Sequence, residues 1–231
     1  MARPTGAEIA RHYEAAAGRI ADLALTLTDD QLDRSVAATP GWTVRGVVAH
    51  LAALTTDVLA GRLTGMPTDD FTDVQVAERA GRSAKELVDE WGPNIAPMCD
   101  GARAGLIPPN LAVDALTHEQ DIRGTLRLPP VIDADELRFC TTLYASGCAY
   151  GVRTRGLPVL AIRSSDTGFE RLSDDGEPQA SVTAPEFELF RVLSGRRSRR
   201  QAAGYDWTGN PEPYLDAFSV FGPLPDTDLS G

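Results

Sequence analysis

The chain has 231 residues, 42% of them hydrophobic and 24% charged, and a formal net charge of −11. That length suits one large or two modest domains, and the hydrophobic share is enough for a buried core, which excludes wholesale disorder. The acidic balance repels phosphate backbones and anionic bilayers, so neither nucleic acid nor a membrane surface is an expected partner. Cys99, Cys140 and Cys148 are odd in number and lack a Cys-x-x-Cys pair, which argues against a disulfide framework or a thiolate zinc knot. With no run near the ~20 apolar residues of a membrane span and a polar start in place of a signal-peptide core, a cytoplasmic protein is expected.

Thr5-Gly-Ala-Glu8 has the form of a capping box, and Ile9, Tyr13, Ala16, Ile20, Leu23 and Leu27 follow it at helical spacing. A turn at Pro40-Gly41 leads to Thr43, an N-cap for a second helix with the stripe Val44, Val47, Val48, Leu51, Leu54 and Val58. Residues 61–82, punctuated by Gly61, Gly65, Pro67 and Gly81, read as a loop with at most a short helix. Ser83-Ala-Lys-Glu86 opens a further helix that Gly92-Pro93 should stop or kink. Pro108-Pro109-Asn110 starts another, from about Leu111 to Leu126, ended by Pro129-Pro130.

These segments predict an antiparallel four-helix bundle over residues 1–130. Beyond it the character changes. Leu157 to Arg163, Gly168 to Leu172 and Ala180 to Thr183 read as strands, with helices over Asp133 to Tyr150 and Pro185 to Leu193. Residues 131–231 are therefore expected to form a small α+β domain, making the whole chain α+β, with Phe221 to Gly231 a loose tail.

Two of the three histidines fall on helices where they can meet an acid. His50 lies at the margin of its apolar stripe, and Asp114 and His118, four apart, share a helix face. Two imidazoles and a carboxylate leave positions open on a divalent cation such as zinc, the pattern of a catalytic site. The plainer alternative is a core histidine beside an Asp114 and His118 pair with no ion, and periodicity leaves both open. Asp121, three beyond His118, is a candidate fourth ligand, an acceptor for an imidazole N–H, a proton acceptor, or a surface partner of Arg123 or Arg127. His12, next to Tyr13, reads as a partly exposed amphipathic residue, and Glu119 and Gln120 point elsewhere on their helix. Arg196 and Arg197 could hold an anionic substrate or cofactor, although such basic runs are more commonly a solvated helix end. No Gly-x-Ser-x-Gly elbow and no thiol beside a histidine suggests a nucleophile within the chain.

The segment Pro40-Gly41-Trp42-Thr43-Val44-Arg45-Gly46-Val47-Val48-Ala49-His50-Leu51 resembles the signature of the mycothiol-dependent maleylpyruvate isomerase family, within the DinB-like superfamily. Asp114-Ala-Leu-Thr-His118-Glu-Gln-Asp121 resembles that family's acid-x-x-x-His stretch, and the likeness covers about residues 5–130. Residues 130–231 are similar, more faintly, to the C-terminal module of many members, which resembles sterol-carrier folds. Ser194-Gly195-Arg196 after Phe187 to Leu193 is its best local match.

The resemblance implies a DinB-like bundle, His50, Asp114 and His118 as ligands of a divalent metal, zinc in the family's manner, and mycothiol or a similar thiol as co-substrate. One departure is that members commonly carry Glu where this chain has Asp114. Losing a methylene shortens the reach by ~1.5 Å, so the helix must lie further in or the acid must bind differently or through water. A cation there can bind the sulfur of a thiol and favour its deprotonation. Thiolate addition to an activated double bond, rotation and elimination gives cis-trans isomerisation, and attack on an electrophilic carbon gives S-transfer. Two other functions stay open: a metal- or ligand-binding module with a carrier-like C-terminal domain, and metal-dependent hydrolysis.

Overall fold

A computed structural model of the chain describes residues 3–63, 65 and 67–230. It divides into two compact units, one ending at Val131 and the other running Ile132–Ser230.

Among the described residues, six helices build the first unit: α1 (Gly6–Thr26), α2 (Asp29–Leu32), α3 (Val44–Leu59), α4 (Asp69–Ala77), α5 (Ala84–Arg103) and α6 (Asn110–Leu126). The four long ones form the bundle, with α1 and α3 each packed on both α5 and α6. Local chemistry sets their starts. Thr5 and Ser83 make reciprocal capping boxes with Glu8 and Glu86, and Thr43 accepts the Gly46 N–H at 3.1 Å. Ile9, Tyr13, Ala16 and Ile20 of α1 are buried with Val44, Val47, Val48 and Leu51 of α3, so the apolar stripes face inward. Thr64 and Met66, within the expected 61–82 loop, lie outside the described residues; α4 occupies Asp69–Ala77 of that stretch.

Gly6 shows how close α1 and α5 approach: a Cβ there would run into the Ala102 carbonyl and the Arg103 backbone. Backbone cannot give way as a side chain does. Gly6→Ala should therefore cost about 1–3 kcal/mol despite alanine's better helix propensity. Urea denaturation checks this through a lower midpoint at unchanged slope.

The expected stop or kink at Gly92-Pro93 does not end the helix, which continues to Arg103 with Pro93 and Pro97 inside. An interior proline costs about 3 kcal/mol, and burial on both sides outweighs it. Leu87, Trp91, Met98, Cys99 and Ala102 are all enclosed. Trp91 donates its indole N–H to the Tyr13 hydroxyl at 2.8 Å, and the Asn94 amide bonds the hydroxyls of Thr55 and Thr56 on α3 at 3.2 and 3.1 Å.

The second unit contains α7 (Ala134–Thr154), β1 (Leu160–Ser164), β2 (Glu170–Leu172), β3 (Ala180–Ala184), α8 (Glu186–Leu193), α9 (Arg199–Ala203), β4 (Asp206–Thr208) and α10 (Glu212–Phe218). The four strands pair in the order β2-β1-β3-β4, with β1 and β3 parallel and both edges antiparallel. Helices α7 and α8 pack on each other and on β1. The protein is thus α+β: mostly helical, with one small sheet in its C-terminal part.

Strand β4 has no forecast in the sequence. Only three residues long, it is held by pairing Trp207 with Val182 and by the indole packing on Tyr214 and Phe218. The expected loose tail is also corrected. Leu224 is buried, the Pro225 carbonyl accepts the Arg199 N–H at 3.0 Å, and Ser198 donates to Asp228 at 2.6 Å. Gln201 pairs in both directions with the Leu229 backbone, so the tail is strapped to the start of α9; Gly231 lies outside the described residues. No helix among the described residues is long and apolar enough to cross a membrane.

Candidate metal centre

His50 stands on α3 and Asp114 and His118 stand one turn apart on α6, helices that pack together in the bundle. One ligand atom from each lies within 4.8 Å of the others. His50 Nε2 is 3.4 Å from Asp114 Oδ2, and His118 Nε2 is 3.5 Å from Asp114 Oδ1. Ligands about 2.0–2.1 Å from a tetrahedral zinc are about 3.3 Å apart, so both spacings suit atoms sharing an ion better than a direct hydrogen bond. Asp114 Oδ2 and His50 Nδ1 are buried without a hydrogen-bond partner. A buried carboxylate oxygen left so, pointed at by an imidazole, is what a bound cation would satisfy. The shorter Asp114 side chain sits between the two rings, with one oxygen facing each.

Burial opposes charge on His118, yet the carboxylates of Asp114 and Asp121 outweigh it and raise its pKa to about 9. Burial likewise opposes charge on Asp114, but His118 and then His50 hold its carboxyl well below the usual carboxylate range.

Asp121 is placed as an acceptor for an imidazole N–H. It is buried, and His118 Nδ1 donates to its Oδ2 at 3.1 Å, which fixes the ring and turns Nε2 towards Asp114. Its expected surface alternative with Arg123 or Arg127 does not apply: Arg123 pairs instead with Glu119 at 3.0 Å. Glu119, expected to point elsewhere on its helix, is not one of the three clustered residues. Its carboxylate is nonetheless fully buried and clamped by Arg19 of α1 at 2.8–3.0 Å. The i,i+4 spacing to Arg123 is a legible signal, whereas the pairing with Arg19 has none.

Sequence reasoning missed Trp42. Its ring centroid lies 4.9 Å from that of His50 and 6.2 Å from that of His118. His12 is corrected from partly exposed to buried, and it stays outside the cluster with its Nε2 facing Arg11 at 3.2 Å. Arg196 and Arg197 are also corrected. Both are buried, not a solvated helix end. Arg197 is paired twice with Glu188 at 2.7 Å, while Arg196 bonds the Ser194 carbonyl at 2.6 Å and lies over the Phe221 ring. Their guanidiniums are committed to their own unit, so neither stands open to an anion.

Fold and cluster together define the class: a helical bundle presenting two imidazoles and a carboxylate, followed by an α+β unit. Residues 13–104 match the profile of the mycothiol maleylpyruvate isomerase N-terminal domain. The bundle over residues 13–104 is thus similar to that family's N-terminal domain, in line with the sequence resemblance. The match spans α1 to α5 and includes His50, ending before Asp114 and His118. The crystal structure of the mycothiol-dependent maleylpyruvate isomerase has a similar fold, with TM-score 0.55 and 13% identity over 99% of this chain and 100% of that one. A histidine-to-alanine mutant of that enzyme gives TM-score 0.54 at the same identity and coverage. At such identity the likeness is one of fold. No curated protein sequence matches the chain.

Proposed function

We propose that the protein is a metal-dependent enzyme that uses a low-molecular-weight thiol, mycothiol or a close analogue, to isomerise or S-transfer a small electrophilic substrate. The observation that carries this is the convergence of His50 Nε2, His118 Nε2 and the Asp114 carboxylate at ion-sharing distances, with Asp114 Oδ2 buried and unpartnered. His50, Asp114 and His118 would hold the cation, and zinc fits two imidazoles and one carboxylate. Once bound, it would supply a Lewis-acid position at which a thiol sulfur loses its proton near neutral pH.

The chain's own residues then orient and enclose. Asp121 keeps His118 Nε2 directed inward, and the Trp42 ring covers one side of both imidazoles. The protein's thiols do not compete as nucleophiles. Cys99, Cys140 and Cys148 are all buried, and burial pushes the last up to about 12. A sulfur nucleophile therefore has to arrive as a co-substrate. Three unpaired cysteines also suit the reducing cytoplasm to which we assign the protein.

Metal analysis of protein purified without added metal, followed by assays with and without mycothiol on a cis-enoate and on an alkylating electrophile, tests the proposal. Bound metal with thiol-dependent turnover supports it. Metal without turnover would instead indicate a binding module, and turnover indifferent to thiol a hydrolase. Asp121→Asn keeps the size of the side chain but weakens the acceptor at His118 Nδ1. It should lower zinc affinity about 10–100-fold, as measured by competition with a chromophoric chelator.

A further inference from the structure

The contact between Trp42 and the two imidazoles is held from outside the ligand helices. The backbone of Trp42 is pinned in a tight turn: its N–H bonds the Thr39 carbonyl at 3.0 Å, and its own carbonyl accepts from Val36 at 2.9 Å. The half-buried indole is fixed at its far edge, where Nε1–H donates to Asp73 Oδ1 of α4 at 2.9 Å. Asp73 touches none of the three candidate ligands, and α4 supplies none of them.

We propose that Asp73 is a positioning residue for the metal centre: by holding the Trp42 indole it sets an aromatic wall against His50 and His118 and so makes α4 part of the site. The inference rests on the metal-binding function proposed above. An aromatic face attracts a nearby cation, including the positive charge that a metal places on its imidazoles. A carboxylate accepting the indole N–H draws that hydrogen away and enriches the ring face in electrons, which strengthens the attraction. It also removes the freedom of the indole to swing aside, so water is kept from that side of the cation. By reciprocity, a bound cation favours the arrangement in which Trp42 and Asp73 are joined.

Asp73 can be changed without losing α4, because the helix has other anchors. Val76 lies against Gly46, where a Cβ would come within 3.3 Å of its Cγ1. The Gln75 side chain bonds the buried Asp57, and just past the helix end Arg79 is paired with Glu90 at 2.6 Å. Asp73 itself is exposed.

The test is a Co²⁺ titration of the metal-free full chain, followed both by cobalt absorption and by tryptophan fluorescence. Of the three tryptophans, Trp42 is the one in ring contact with the candidate ligands, so Trp42→Phe identifies its share of the quenching. Asp73→Ala should weaken Co²⁺ binding about three- to tenfold and reduce the Trp42 quenching. Asp73→Asn, which keeps an oxygen acceptor, should restore most of both. Asp70→Ala, which removes an equal charge from the exposed start of α4, should leave both unchanged. Wild-type affinity and quenching in Asp73→Ala would overturn the positioning role, and so would an equal loss in Asp70→Ala, which would mean long-range charge alone. Cobalt binding that survives His118→Ala overturns the metal centre itself, a failure visible before any α4 variant is made.

Discussion

Replacing His118 by alanine should leave the purified protein without a retained cation, whereas His12→Ala should retain it. Structural zinc binding of about 10–16 kcal/mol over four ligands is roughly 3 kcal/mol each, so losing one imidazole should cost a hundredfold or more in affinity. His12 is equally buried and equally helical, which makes it a control for packing. Elemental analysis after dialysis against a weak chelator reads the difference; equal metal in both variants would place the site elsewhere. The same imidazole predicts a pH dependence. With its pKa raised to about 9 in the metal-free fold, His118 must release a proton to bind a cation. Zinc affinity should therefore rise by about tenfold per pH unit between pH 7 and 8. Stability of the metal-free protein should run the other way. The folded pKa exceeds the ordinary 6.5, so the stabilisation is fully present below pH 6.5 and is lost as pH rises through 9. A urea midpoint that falls over that interval, and does so less in His118→Ala, checks the sign.

The second large effect concerns stability. Glu119→Ala removes a carboxylate with no exposed surface and strands the guanidiniums of Arg19 and Arg123, whose side chains are 27% and 14% exposed. Breaking a fully buried pair costs about 3–5 kcal/mol. Because Arg19 can still reach water, about 2–4 kcal/mol is expected here. The exposed pair Lys85–Asp89 serves as contrast: Asp89→Ala should move the urea midpoint little. A Glu119→Ala midpoint within error of wild type would show that the clamp between α1 and α6 contributes nothing net.

Signals confined to a few neighbouring residues were legible in the sequence. The capping boxes at Thr5 and Ser83, the Thr43 cap and the one-turn spacing of Asp114 and His118 are all determined within four residues, and the structure contains each. Proximity of His50 to that pair was a weaker expectation, drawn from its place at the edge of an apolar stripe. What stayed hidden depends on distant partners. Pro93 reads as a helix breaker because the burial of Trp91 against Tyr13, 78 positions away, leaves no local trace. Arg19 and Glu119 are 100 positions apart, and Trp42 and Asp73 are 31 apart. Arg196 and Arg197 read as solvated because charge in a sequence looks the same whether its counter-ion is Glu188 or water. Three-residue β4 exists only because β3 offers it an edge.

The enclosure of Cys99, Cys140 and Cys148 has a consequence wherever small thiols and their oxidised forms surround the protein. Exchange with a circulating disulfide requires an accessible thiolate on the protein, and all three sulfurs are shut away, each with its ionisation made harder by burial. On the thiol-dependent function proposed above, the protein would resist covalent capping by the disulfide form of its own co-substrate.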